Sequence, residues 1–408
     1  MGFRKVLIEL VPPRGTAFNI GDARAYLQKF DFKMDVEYES VSMPAMKELG
    51  FTLVDFLAGT ADTYVIRGEV DESRIAEIRA QPNVVEIWDD ALVAPFPVDC
   101  DPNIAKSDID GVVAYLKVDA IWKTGCDGSG IKIGIVDNGI DGNDHRLQFA
   151  GDGWAPPGQP KPGQGSRGSH GSMCAFDAVS VCRAAQTYDI RVLSANDVPT
   201  LISDALRGFQ WAIDHYRRDG TPQVLSNSWG MYQEAWGPNN YSRDPKHPFT
   251  RKAIEAARRG IVVTFAAGNC GSLCPDPRCA SDVGPGASIW GANSHPEMIT
   301  FGAVNLREEW IGYSSQGPGA ISPFKPDVCG LSHFKGYRQV DSGTSAANPI
   351  GAGLLGLMIS KASTQGRHLS QSRALSILQL SAKDILSPGW DCWSGYGVIQ
   401  GKAAWDLV

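Results

Sequence analysis

Residues 343–349 read GTSAANP, and the eleven that follow, IGAGLLGLMIS (350–360), are almost wholly apolar. Small residues crowd one hydroxyl, that of Ser345, and a proline sits four places on. The pattern predicts a helix too apolar to lie on a surface, with a serine at its start. An interior helix needs a large fold around it.

The chain upstream supplies one. From about residue 111, strand-like and helix-like stretches alternate. IKIGIVDNG (131–139) reads as a buried strand ending in a turn, and YDIRVLSA (188–195) as another. VPTLISDALRGFQWAIDHYRRDG (198–220) has apolar residues at 201, 202, 205, 206, 209, 212 and 213, a helical spacing. QVLSNSWG (223–230) is strand then turn; FTRKAIEAARRG (249–260) is a helix ending at Gly260; IVVTFAAGN (261–269) is the next strand. This alternation predicts an α/β fold, a parallel sheet with helices on both faces. Ligand sites in such sheets gather at the carboxyl ends of strands. Three of those ends carry Asp137, Ser226–Gly230 and Asn269. WAPPGQPKPGQGSRGS (154–169) reads as a Pro/Gly-rich loop.

Residues 1–97 differ. They hold 10 basic and 16 acidic residues, against 28 and 29 in the remainder. KVLIEL (5–10), DTYVIRGEV (62–70) and NVVEIWDD (83–90) read as strands, and DESRIAEIRA (71–80) as a helix capped by Asp71 with Ile75 and Ile78 on one face. The punctuated stretch APFPVDCDPNIAKSD (94–108) reads as a linker, and the expected organisation is a small α+β domain over 1–97, a linker with the possible processing site over 98–110, and a large α/β domain over 111–408.

With 408 residues, 43% of them hydrophobic, the chain can bury one large core and a smaller one. A net charge of −7 argues against a general nucleic-acid partner. No stretch reaches the roughly 18 apolar residues of a membrane span, and VLIEL in MGFRKVLIELVPPRG is too short and interrupted for a signal peptide. A cytoplasmic protein is expected. Nine cysteines without a secretion signal favour reduced thiols. The triplet in CGSLCPDPRC (270–279) leaves packing thiols, a local disulfide or a metal site open, with loop packing slightly preferred; its spacing lacks the C-x2-C of common zinc sites.

A serine nucleophile needs a base, and the base needs an orienting group. Taken singly, the candidates have bland readings. Asp137 is a turn former before Asn-Gly, His170 in GSHGSMCAFDAVSV caps a helix, Asn269 closes a turn, and Ser345 caps another helix. Taken together, their surroundings resemble the subtilisin-like serine proteases over about 111–400. GIVDNGID resembles that family's aspartate motif, SHGSMCA its histidine motif, AAGN its oxyanion asparagine motif and GTSAANP its serine motif, in the family's order. SNSWG (226–230), GYSSQGP (312–318), KPDV (325–328) and GYG (395–397) agree.

The resemblance implies Ser345 as nucleophile, His170 as base, Asp137 as its orienting acid and Asn269 as oxyanion donor. It implies that Ser228, Trp229 and Gly230 edge the substrate cleft, that Ala266, Ala267 and Gly268 form the other wall, and that the pocket floor falls near Ile289 or Trp290. The absence of an evident acid there favours an apolar or small side chain beside the cleaved bond. TYVIRGEVDESRIAEIRAQPNVVEIWDD resembles the family's ferredoxin-like propeptide, a folding aid and intramolecular plug, with processing expected between about Pro95 and Gly111.

Two departures stand out. Met173 occupies the place of a second histidine, and CAFDAVSVCRAAQTYDIRVL (174–193) runs on without the family's common calcium loop. Arg146 stands where a calcium-binding carboxylate is usual, so that site is expected to be absent and no cofactor is implied. The leading expectation is a serine endopeptidase made as a zymogen, acting on peptides or proteins, with no nucleic acid or membrane partner. A transpeptidase or macrocyclase, with MYQEAWGPNNYSRDPKHPF (231–249) as a modest capping insertion, and a peptide-binding pseudoprotease are the alternatives.

Overall fold

A computed structural model describes residues 2–12, 19–44, 62–95, 104–194, 199–237 and 241–408. The N-terminal part opens with β1 (Phe3–Leu10), α1 (Ile20–Leu27), β2 (Lys33–Met34), β3 (Val41–Met43), β4 (Thr63–Asp71), α2 (Ile75–Arg79) and β5 (Val84–Asp89). The strands form one sheet in the order β2-β4-β1-β5, with β3 also on β4. Asp71 accepts the Ser73 N–H at 2.9 Å ahead of α2, and Ile78 is buried, as the sequence predicted.

Two short strands follow, β6 (Leu92–Pro95) and β7 (Ser107–Asp108). The linker expectation needs correction here. Ala94 and Pro95 belong to β6, which is the middle strand of a three-stranded sheet. The 98–110 window lies partly outside the described residues; its later part forms β7 and the start of the next helix.

That helix is α3 (Ile109–Leu116), succeeded by α4 (Val118–Trp122), β8 (Lys132–Asp137), β9 (Phe149–Trp154), α5 (His170–Val181), β10 (Gln186–Arg191), β11 (Thr200–Leu201), α6 (Ile202–Asp219), β12 (Val224–Asn227), β13 (Trp229–Gly230), α7 (Pro248–Arg258) and β14 (Val262–Ala266). β15 (Ile299–Val304), β16 (Val328–Leu331), β17 (Phe334–Lys335), α8 (Thr344–Thr364), α9 (Gln371–Ser381) and α10 (Gly401–Asp406) complete the chain. Seven strands form one sheet in the order β16-β15-β14-β12-β8-β10-β9, every pairing parallel.

Alternation along the strands loads both faces. Ile133 and Ile135 of β8 pack with α5 and α8, whereas Val136 joins Phe209, Ile213 and Ile254 of α6 and α7. β8 lies between β12 and β10, so strand order reverses beside it and its carboxyl end opens a crevice. Helix α8 is buried without interruption from Thr344 to Ile359, as its composition required.

The approach of α5 to α8 brings the histidine and serine motifs together, and it depends on one glycine. A Cβ on Gly353 would lie 2.4 Å from the Ala178 carbonyl of α5. Gly353→Ala is expected to cost about 1–3 kcal/mol by forcing the helices apart, read as a lowered Tm. An unchanged Tm would contradict the close approach.

The N-terminal sheet is fastened to α6 and α7 by buried polar contacts. Glu9 of β1 pairs with Arg251 of α7 at 2.6 Å, both side chains about 1% exposed. Lys252 donates to the Ser42 carbonyl at 2.6 Å. Asp90 accepts the Ser203 N–H at 3.0 Å and its hydroxyl at 2.7 Å, so the first turn of α6 is capped from outside.

Candidate active site

The site assembles at the end of β8. Asp137 is buried there, and its Oδ1 accepts the following Asn138 N–H at 2.8 Å. His170 is the first residue of α5. Ser169, just before it, accepts the Ser172 N–H at 3.1 Å and donates to the Gly139 carbonyl at 2.8 Å. The Gly171 N–H donates to Asn138 Oδ1 at 2.9 Å. The turn after β8 is thus stitched to the first turn of α5. This holds the imidazole against the carboxylate, with Nδ1 2.9 Å from each Asp137 oxygen. His170 Nε2 is buried and has no hydrogen-bond partner among the described residues.

Ser345 is the second residue of α8. Its hydroxyl donates to the Ser228 carbonyl at 3.2 Å, and the Ser228 hydroxyl donates back to the Ser345 carbonyl at 3.0 Å. Asn348, one turn along, donates to the hydroxyls of Ser226 and Ser228 at 3.0 and 3.2 Å. Gly343 enters the helix at φ 81°, its N–H donating to Tyr313 Oη at 2.7 Å and its carbonyl accepting from Ser332 at 2.9 Å. Asn269 Oδ1 accepts the Thr344 N–H and hydroxyl, each at 3.0 Å. The amide nitrogen, a donor, therefore lies on the side of the carboxamide away from Thr344.

Cys174 touches all three centres. Its Sγ is 3.7 Å from Asp137 Oδ2, 3.8 Å from His170 Nδ1 and 3.6 Å from the Ser345 carbonyl. Asp137, His170 and Cys174 are the one group of potential metal ligands found among the described residues. Burial, then the Asp137 charge, pushes the thiol well above its ordinary range. A neutral thiol and an Nδ1 already held by a carboxylate suit proton handling better than metal binding.

The expected cleft edge at Trp229–Gly230 is occupied by the chain itself. β6 runs antiparallel to β13, Trp229 opposite Pro95 and Gly230 opposite Ala94, with β11 on its other side. Asn293 donates to the carbonyls of Trp229 and Ala266, both at 2.9 Å, and so ties the two expected walls together. Gly268 N–H donates to Thr344 Oγ1 at 3.1 Å, and Ala267 N–H to the Phe301 carbonyl at 2.9 Å. Ile289 is buried. Trp290 sits in the apolar cluster that includes Trp229 and Phe265, with the Arg243 guanidinium 5.0 Å from its ring centroid.

Sequence reasoning missed several of these residues. Ser169 carried a signal, a serine directly ahead of a helix. Asn348 stood inside the GTSAANP stretch, one helical turn from Ser345. Tyr313 lay within GYSSQGP with no role assigned to it, and Asn293 and Ser332 act through the fold and had no signal. The thiol preference for the 270–279 triplet is corrected: Cys270 and Cys279 form a disulfide, while Cys126, Cys174, Cys182, Cys329 and Cys392 are free thiols. The bridge closes the loop directly after Asn269, and the Asp276 N–H donates to the Asn269 carbonyl at 3.0 Å. Arg146 pairs with Asp144 at 2.6 Å and lies over the rings of Tyr337 and Phe176, beside an unbroken α5. No described helix is long and apolar enough to cross a membrane.

A model of the subtilase family matches residues 128–397. The chain belongs to the subtilase family. Its fold and chemistry class are those of the subtilisin-like serine peptidases. This subtilase is 26% identical over 301 residues to subtilisin amylosacchariticus of Bacillus subtilis subsp. amylosacchariticus, covering 72% of this chain and 69% of that protein. It is 27% identical over 301 residues to subtilisin DY of Bacillus licheniformis, covering 72% and 97%. Fervidolysin of Fervidobacterium pennivorans, a keratinolytic enzyme related to subtilisin, superposes with a TM-score of 0.64 at 16% identity. That match covers 99% of this subtilase and 61% of the longer chain.

Proposed function

We propose that this subtilase is a serine endopeptidase made as a zymogen, with Ser345, His170, Asp137 and Asn269 as its catalytic groups. The observation that carries the reading is the buried Asp137–His170 clasp at a strand end, sharing the Cys174 thiol as neighbour with a serine at a helix start. The Ser345 hydroxyl turns from the Ser228 carbonyl to His170 Nε2 and attacks the substrate carbonyl. Nε2 takes the proton. Asp137 holds Nδ1–H, fixing the tautomer and stabilising the imidazolium. The developing oxyanion meets the Asn269 amide and the Ser345 N–H at the positive end of α8. The imidazolium then protonates the leaving amine, and water releases the acyl group by the same route.

Asn269→Ala is expected to lower kcat about 10²–10³-fold with KM little changed, a scale measured on the oxyanion asparagine of subtilisin itself. Steady-state kinetics on a chromogenic peptide checks it. A loss confined to KM would remove Asn269 from this role.

The position of β6 supports the zymogen half of the proposal. An extended substrate would add a strand along Trp229–Gly230, and β6 holds that register. The N-terminal part is then an intramolecular inhibitor. A transpeptidase gains no specific support. The Tyr241 hydroxyl and Ser242 carbonyl of the 231–249 segment bond to Ala292 and Gly291. Mass spectrometry of products in the presence of an added amine separates hydrolysis from transfer.

A further inference from the structure

Helix α5 carries a second buried carboxyl. Asp177 follows His170 and Cys174 at the spacing that places all three on one helix face. Its side chain is fully buried, and neither oxygen meets a donor among the described residues. A carboxylate left ionised in such a place is strongly disfavoured. The turn that holds Asp341, four residues before Ser345, lies against α5, with the Tyr337 ring centroid 5.8 Å from that of Phe176, and Asp341 is the residue whose charge acts most strongly on Asp177. Asp341 is well served. Oδ1 accepts the Arg338 N–H at 2.9 Å, and Oδ2 accepts the Tyr337 N–H at 2.6 Å. The turn wraps its carboxylate so closely that a Cβ on Gly336 would lie 2.2 Å from Oδ2.

Two adjacent buried carboxyls, one supplied with donors and one with none, are resolved by a single proton. We infer that Asp177 is a protonated positioning residue, donating its O–H to Asp341 and so tying the helix of His170 to the turn that delivers Ser345. This rests on the proposed roles of those two residues. The tie is independent of the Asp137 clasp, because it joins α5 to the chain entering α8.

The surrounding charges are few. The Arg338 guanidinium, bonded to the Gly168 carbonyl at 2.8 Å, favours ionisation of both carboxyls. His170 and Cys174 lie on the same helix, and Asp137 lies at the end of β8. Arg146 and Asp144 form their own pair beside the Tyr337 and Phe176 rings. Helix α8 has no ionisable side chain before Lys361. Burial is the largest influence on Asp177 and raises its pKa well above the carboxylate range; the Asp341 charge adds to it. A group whose folded pKa is raised contributes stability that is lost as pH rises through that value. Above it two anions face each other, and the turn before Ser345 is pushed from α5.

The test uses the full chain in a Ser345→Ala background, where the readout does not depend on catalysis. Tm is expected to fall from neutral to alkaline pH, and Asp177→Asn, which keeps a donor but cannot ionise, is expected to flatten that fall. An infrared band of a protonated carboxyl should be present at neutral pH and disappear over the same pH range. In the Ser345 chain, Asp177→Asn should keep neutral kcat within about twofold and lose the alkaline decline. Asp177→Ala, lacking the donor, should lower kcat about tenfold or more. An unchanged alkaline fall in Asp177→Asn, a full kcat in Asp177→Ala, or no protonated-carboxyl band would overturn the inference. If Asp177→Asn does not fold, the titration of that band against Tm in the parent decides. A parent without peptidase activity would instead refute the proposed function, leaving the melting and infrared results to judge the carboxyl pair.

Discussion

Ser345→Ala is expected to abolish peptide hydrolysis and labelling by a fluorophosphonate probe, and to leave the full-length chain at its original mass. The expected loss is about 10⁴–10⁶-fold in kcat, the scale on which removing triad members acts in subtilisin itself. The reason is specific to the site. Among the described residues His170 Nε2 is buried without a partner and Asp137 has already committed Nδ1, so the imidazole can serve one incoming hydroxyl. The other hydroxyl at the start of the buried helix, that of Thr344, is already donated to Asn269 Oδ1. The residual rate should come from Asn269 and substrate binding alone. Intact-mass analysis over time, wild type beside Ser345→Ala, reports self-cleavage and its position together. Equal shortening in both chains would assign the cleavage to another protease.

Glu9→Leu should release the N-terminal part from the catalytic part about 10²-fold faster or more. Glu9 and Arg251 are both almost completely buried, and Thr63 also donates to the Glu9 carboxylate. Removing one partner of such a buried pair costs about 3–5 kcal/mol. That cost vanishes once the N-terminal part leaves and Arg251 meets water, so it drives release. The observable is the lag before full activity after refolding, which should shorten. Total activity at long times should be unchanged, since Glu9 leaves with the N-terminal part. A Glu9→Leu chain with the wild-type lag would mean that β6, held between β11 and β13, controls release without help from this pair.

Much of the site was legible before any coordinates. Asp137, His170, Asn269 and Ser345 each sit in a short stretch whose meaning is local: an apolar strand ending in a turn, small residues ahead of an apolar helical run, or a glycine turn. Hydrophobic spacing likewise marked the strands and helices of both parts, because burial of one face is written residue by residue. Reading residues 94–108 wholly as a linker failed for a physical reason. Ala94 and Pro95 pair through backbone groups with Trp229 and Gly230, and backbone pairing leaves little trace in side-chain composition. The reduced-thiol expectation for Cys270 and Cys279 failed because spacing does not tell whether a loop folds back on itself.

The sequence by itself determined the α/β alternation, the buried helix behind Ser345 and the short stretches that carry Asp137, His170, Asn269 and Ser345, since each depends on neighbours within a turn or a strand. Only the tertiary structure decided that Cys174 touches aspartate, imidazole and serine backbone together, that Asn293 joins the Trp229 and Ala266 carbonyls, and that the turn carrying Tyr337 and Asp341 lies against α5. Those contacts join residues up to 171 positions apart, as with Cys174 and Ser345. The Cys174 contacts are set by how closely α5 and α8 pack over the sheet, a distance governed by the bare backbone at Gly353, and that is a property of the assembled core rather than of any one segment.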